Sequence, residues 1–399
     1  MMTTQEMIAT AGKCLANTYA RFPIVLVKGQ GVRLWDSEGK EYLDCVGGIA
    51  VDALGHCHPR MVEAVKAQAE TLFHISNLYH IEPQIRLGKM LCELSFADRA
   101  FFCNSGAEAN EAAIKLARKY AKDHWSTDRT EIIVMHHSFH GRTLATVTAT
   151  GNPKYWHGFE PLMPGFKHVP FNDLRAVERA IDSHTCAVMV EPVQGEGGVN
   201  IPGDEYLPGL RRLCDQAGIL LVLDEVQSGM GRTGRLFAYQ HSGVEPDIMT
   251  LAKALAGGLP MGAMLAREEV ASSFVPGTHA STFGGSPFVS AVACAVVQTM
   301  VEEDLAGNAA RVGKYFLDRL LELKARHKAV VTARGRGLIL GLELSVPGRG
   351  VVAGCMERGL LTLTAGDNVV RFVPPLILRE ADVDRAVGIV DQALAGLPA

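Results

Sequence analysis

Gly218-Ile-Leu-Leu-Val-Leu-Asp224 and, further on, Ile248-Met-Thr-Leu-Ala-Lys253 decide how this chain is read. Each is a short, mostly apolar run closed by a charge, and a glycine feeds the first. Such runs read as buried strands of a parallel sheet, covered on both faces. In open α/β sheets a ligand sits just beyond the carboxyl ends of the strands. A carboxylate (Asp224) and an amine (Lys253) are therefore aimed at one crevice.

Working outward, the same type of run recurs at Ala100–Cys103, Ile132–Met135 and Ala187–Val190, with helical patterns between. That alternation predicts a mostly parallel sheet flanked by helices, an α/β fold. Before it, Ile24–Val27, Gly31–Trp35 and Tyr42–Asp44, with the turn Asp36-Ser-Glu-Gly39, read as a small hairpin unit. After Pro287 an apolar helix (Val289–Val301) leads to strand candidates Gly337–Glu343, Leu360–Leu363 and Val369–Val373. The expected organisation is an N-terminal segment, 1–55, that joins a C-terminal small α+β domain, 289–399, around a large domain, 56–288.

The Asp224/Lys253 pair suits pyridoxal 5'-phosphate (PLP). Its aldehyde condenses with a lysine amine, and its ring nitrogen needs a carboxylate to stay protonated and draw electrons. Strands that end in Asp and single loop lysines are common, so neighbouring motifs must carry the decision. Phe101-Phe-Cys-Asn-Ser-Gly-Ala-Glu108 runs strand, small-residue turn, helix. Ser105 with Glu108 fits a capping box, and a helix start at Gly106 and Ala107 offers free N–H groups and a positive dipole end to a phosphate. Ser138-Phe-His-Gly-Arg-Thr143 follows the Ile132 strand. Phe139 there suits a ring face, and Arg142 a substrate carboxylate.

Composition excludes other classes. The chain of 399 residues is 48% hydrophobic and 21% charged, which is the profile of a globular enzyme of roughly two or three domains. A net charge of −4 with no basic cluster provides no electrostatic case for nucleic acid or an anionic membrane. No apolar run approaches the ~20 residues of a membrane helix. Met1–Cys14 does not read as a signal peptide. Nine scattered cysteines without a Cys-x-x-Cys fit reduced thiols in the cytoplasm. His56-Cys57-His58-Pro59 raises the question of metal, but no second cluster has ligand spacing, and turn chemistry before a helix is preferred. His136, His137 and His140 are read as a site-lining loop.

Taken together, GGIAVDALGHCHP (Gly47–Pro59), FCNSGAEANEAAIKLARKY (Phe102–Tyr120), SFHGRT (Ser138–Thr143), VEPVQGEGGV (Val190–Val199), LDEVQSGMGRTG (Leu223–Gly234), the Lys253 region, STFGGSP (Ser281–Pro287) and AGDNVVRFVPPL (Ala365–Leu376) resemble the class III, fold type I PLP-dependent aminotransferases. Within that family the resemblance is strongest to the group acting on acetylornithine in arginine biosynthesis. It implies a seven-stranded-type sheet and an obligate homodimer with shared sites. It implies that Lys253 holds the cofactor covalently and that Asp224 pairs with its ring nitrogen. Gln227 would meet the ring hydroxyl, with Glu225 and Val226 in the same segment. Gly106 and Ala107 would bind phosphate, Phe139 would stack on the ring, and Thr282 would reach the phosphate from the partner subunit, with Ser281 near substrate. Two departures, Ala256 where relatives often have Gly and Ala107 where some have Thr, leave these roles intact.

Such an enzyme takes two substrates in one site. The amine donor reacts far from its carboxylate, whereas 2-oxoglutarate reacts beside one. A permanently open arginine at the reacting carbon would hold the donor the wrong way round. By resemblance to ω-aminotransferases, Glu196 covers Arg371 for the donor and releases it for the acceptor, while Arg142 with Tyr19 holds the donor's remote carboxylate. Ornithine, succinylornithine, succinyl-diaminopimelate and GABA-type donors stay open, and a PLP aminomutase or decarboxylase is the reading from a different class. His140 favours the acetylornithine group over the ornithine enzymes, which typically carry a larger aromatic there.

Overall fold

The computed structural model describes residues 2–125 and 128–397. At its centre is a seven-stranded sheet with the spatial order Arg99–Cys103, Gly262–Ala266, Ile248–Leu251, Leu220–Asp224, Thr185–Val190, Glu131–Met135, Phe166–Val169. Five of these strands run parallel to their neighbours in one block, whereas Gly262–Ala266 is antiparallel to the strands on both its sides. The five predicted strands are all present. Phe166–Val169 escaped prediction because it is a half-buried edge with Lys167 and His168 in it, and Gly262–Ala266 because Gly-Ala-Met-Leu-Ala lacks β-branched residues.

Strand periodicity assigns the two faces. Leu221, Leu223, Met249 and Leu251 enter one core, and Leu220, Val222 and Ile248 the other. Asp224 and Thr250 continue the second set. That face is covered by the Gly106–His124 helix, which contributes Ala112, Ala113, Ile114 and Ala117. The catalytic-looking acid is thus turned towards the helix whose first turn was read as the phosphate end.

The strands Leu26–Gln30, Arg33–Asp36 and Glu41–Asp44 share a four-stranded sheet with Leu360–Leu361, which pairs in parallel with Leu43 and Asp44. A second four-stranded sheet is antiparallel, ordered Val330–Arg336, Ile339–Leu344, Val369–Phe372, Leu363–Ala365. The Pro287–Glu302 helix, apolar all round, links the large sheet's region to this C-terminal part. Among the described residues no helix is long and apolar enough to cross a membrane.

Candidate active site

A cavity of about 410 Å³ opens at the carboxyl ends of the central strands, and Gly106, Ala107, Phe139, Arg142, Asp224, Val226, Gln227 and Lys253 all border it. The structure thus brings together eight of the residues named from sequence. Ser281 lies beside it: its Oγ accepts a hydrogen bond from Asn104 Nδ2 at 3.3 Å, and Asn104 lines the cavity.

Lys253 follows the Ile248–Leu251 strand with φ at +43°, in the left-handed region that costs a lysine about 1–2 kcal/mol. Its Nζ forms no hydrogen bond or ion pair with the described residues. Burial, with the Arg371 charge adding to it, holds the amine's pKa below the ordinary lysine value, although the carboxylates of Glu196, Asp224 and Glu191 oppose the shift. A buried, unpaired amine of lowered basicity is a nucleophile and a base in waiting.

Asp224 is held on every side. Its Oδ2 accepts from Asn110 Nδ2 and pairs with His140 Nδ1, both at 2.7 Å, and its Oδ1 accepts from the Val226 N–H at 3.0 Å. Thr250, opposite Asp224 in the sheet, donates to Asn110 Oδ1 at 2.7 Å and so fixes which end of the amide faces the acid. Asn110 also donates to the His140 carbonyl at 2.8 Å. Asn110 and Thr250 were not singled out from sequence, and His140, read as part of a site-lining loop and for specificity, was not seen as a partner of Asp224. A buried Asn one turn into an alanine-rich helix is the available signal, since such an amide needs partners.

At the helix start, Ser105 Oγ accepts from the Glu108 N–H at 3.2 Å, as predicted. The other half of the capping box is absent: Glu108 reaches past Ser105 to accept from the Asn104 N–H at 2.6 Å and Nδ2 at 2.9 Å. The Gly106 and Ala107 N–H groups, first in the helix, keep no partner among the described residues, and both residues border the cavity. A Cβ at Gly106 would sit 2.7 Å from Val226 Cγ1, so only glycine allows this approach.

Glu196 and Arg371, expected to form a switch, are in contact. Arg371 Nη1 donates to Glu196 Oε1 at 2.7 Å and to Gln227 Oε1 at 3.1 Å, with Arg371 only 1% exposed. Burial pushes the Glu196 carboxyl up, but the Arg371 charge and hydrogen bond outweigh it and hold the carboxyl below the usual range. The Glu196 loop is docked onto the small sheet through Arg334, whose Nη2 donates to the Gly198 carbonyl at 2.7 Å and Nε to the Val199 carbonyl at 3.0 Å. Gly195 permits this packing, because a Cβ there would lie 2.1 Å from Gln227 Oε1.

Three predicted positions lie elsewhere. The Glu225 carboxylate turns away from the cavity and accepts the Ala238 and Tyr239 N–H groups at 2.5 and 2.8 Å, while burial pushes it up to about 7. Tyr19 is 69% exposed and borders a separate groove under the N-terminal segment. Thr282 is exposed and does not border this chain's cavity. A further acid, Glu191, is inside: it accepts the Phe139 N–H at 3.0 Å, and burial, reinforced by the Asp224 charge, raises its pKa well above the usual carboxylate range. His56 groups with Asp44 and Asp52 rather than with Cys57 or His58, and its Nε2 lies 2.7 Å from Asp44 Oδ2.

This fold and site define a class: the chain belongs to the class-III aminotransferases, whose family profile matches residues 14–394. It is similar to the acetylornithine aminotransferase of Caldanaerobacter subterraneus subsp. tengcongensis, 52% identical over 390 residues that cover 98% of this chain and 99% of that one. Among solved structures it is similar to the N-acetylornithine aminotransferase of Stenotrophomonas maltophilia K279a (39% identity, TM-score 0.84, 97% and 98% of the two chains). It is also similar to an ornithine aminotransferase of Toxoplasma gondii that has PLP in partial occupancy at its active site (34% identity, TM-score 0.95, 98% and 94%).

Proposed function

We propose that this chain transfers the terminal amino group of N2-acetyl-L-ornithine to 2-oxoglutarate, giving N-acetyl-L-glutamate 5-semialdehyde and L-glutamate, as a PLP-dependent cytoplasmic homodimer. The observation that carries this reading is the masked arginine. Arg142 borders the cavity with no ion pair among the described residues, and Arg371, covered by Glu196 at 2.7 Å, reaches the cavity's edge through its 3.1 Å contact with Gln227. Two carboxylate anchors, one of them closed, are what a donor with a single remote carboxylate and an acceptor with two would require.

The residues suit PLP. An unpaired buried amine, an acid saturated with hydrogen-bond donors, two unpartnered helix-start N–H groups and an aromatic face surround one space. When bound, PLP supplies the electron sink that makes the carbon bearing nitrogen acidic. Lys253 Nζ is the group that anchors the cofactor and then carries the proton from that carbon. Asp224, oriented by Asn110, His140 and the Val226 N–H, would hold a proton on the ring nitrogen. Gln227 and Val226 would hold the ring, and Gly106 and Ala107 the phosphate. Arg142 would take the donor's remote carboxylate. Thr282 from a partner subunit would complete the phosphate side, with Ser281 near the substrate. Nine free cysteines support a reducing compartment.

The test is a half-reaction panel of acetylornithine, ornithine, succinyl-diaminopimelate and GABA, followed by bleaching of the cofactor's visible absorption. Acetylornithine should react fastest. A faster rate with ornithine or GABA would reassign the donor.

Glu196→Ala should uncover Arg371. Glutamate, with its carboxylate beside its amine, should then compete better with acetylornithine, by roughly ten- to a hundredfold in relative kcat/KM. Unchanged selectivity in a two-substrate competition would remove Glu196 from the switch.

A further inference from the structure

We propose that Tyr155 is a positioning residue that aims Arg142, and that it thereby sets the preference for donors with a carboxylate remote from the reacting nitrogen. This rests on the reading of Arg142 as the anchor for that carboxylate.

Arg142 stands exposed at the lip of the cavity and forms no ion pair or hydrogen bond with the described residues. Its contacts are aromatic. The guanidinium carbon lies 3.9 Å from the centroid of the Tyr155 ring and 5.5 Å from that of Phe139. A guanidinium over a ring uses its face and leaves its edge N–H donors open, which is the geometry a two-pronged carboxylate contact needs. A free arginine would lose much rotamer freedom on binding. One already placed loses less.

Tyr155 is itself well held. It closes the short turn Pro153–Tyr155, in which its N–H donates to the Asn152 carbonyl at 3.0 Å. The next residue, Trp156, donates its Nε1–H to the Val147 and Thr150 carbonyls, both at 2.9 Å. The Tyr155 ring meets the Phe139 ring edge-on at 5.9 Å, and the Phe139 N–H is tied to Glu191. Buried acid, ring-stacking residue, tyrosine and arginine therefore form one continuous brace. The Tyr155 hydroxyl makes no hydrogen bond with the described residues, so the ring carries the effect.

The experiment compares Tyr155→Leu, Tyr155→Phe and Arg142→Ala with two donors: N2-acetylornithine, and N-acetylputrescine, which keeps the acyl group and the reacting amine but has no carboxylate. Tyr155→Leu should raise KM for acetylornithine roughly three- to thirtyfold with kcat little changed, and leave kcat/KM for N-acetylputrescine as it was. Tyr155→Phe should behave as the unaltered enzyme. Calorimetric binding of glutarate, which cannot react, should weaken in Tyr155→Leu and not in Tyr155→Phe. If Tyr155→Leu does not fold, Tyr155→Met takes its place with the same expectations. Equal effects on both donors, or none on either, overturn the proposal while Arg142→Ala still discriminates between them. If Arg142→Ala fails to discriminate, the anchor reading falls, and the role of Tyr155 with it.

Discussion

Lys253→Ala is expected to bind PLP non-covalently and to lose turnover by at least about 10²–10⁴-fold, the range a positioned acid–base group contributes. On the proposed reading the cavity would hold the cofactor through several other groups, so occupancy should survive: two helix-start N–H groups, Asp224 and the Phe139 face do not depend on the lysine. What disappears is the one amine at the end of the Ile248–Leu251 strand. Among the cavity's other groups, Glu191 lies nearest in kind, but it is a carboxyl whose pKa is raised by burial and by Asp224, and it is tied to the Phe139 N–H. It offers no amine for a covalent anchor. Borohydride treatment should fix colour to the unaltered protein and not to the variant. Turnover within tenfold of the unaltered enzyme would show that another group moves the proton.

Arg371→Ala is expected to separate the two half-reactions. Conversion of the cofactor by acetylornithine should persist, because on the proposed switch Arg371 stays covered by Glu196 while the donor is bound. Recovery with 2-oxoglutarate should fall by about 10²–10³-fold, the cost of removing one partner from a buried charge-assisted contact. Stability should fall as well, because Glu196 and Gln227 lose their shared donor. A thermal melt beside the half-reaction rates keeps the two effects apart. Equal loss in both halves, with an unchanged melt, would argue against a masked arginine.

Much of the fold was legible because its signals are local. Thr185–Val190, Leu220–Asp224 and Ile248–Leu251 are buried along their whole length, and an unbroken apolar run reports that directly. The small C-terminal sheet was read less completely. Val330–Arg336 was passed over because Thr332, Arg334 and Arg336 interrupt its apolar residues, although Arg334 proves to be the clamp on the Glu196 loop. The capping box at Ser105 was half right for a related reason. Sequence spacing identifies a side chain able to return to the helix start, but Asn104 presents both a backbone and a side-chain donor to the same carboxylate.

From its sequence alone the chain determined an alternating α/β layer with Asp224 and Lys253 at neighbouring strand ends, since strand period, apolar runs and glycine-rich turns act over a few residues. Only the tertiary structure decided what surrounds them. His140 and Asn110 meet Asp224 across 84 and 114 residues of chain, and Glu196 meets Arg371 across 175. Those contacts depend on strand order and on how the small sheet docks, and periodicity along the chain does not encode which distant side chains end up within 3 Å of one another.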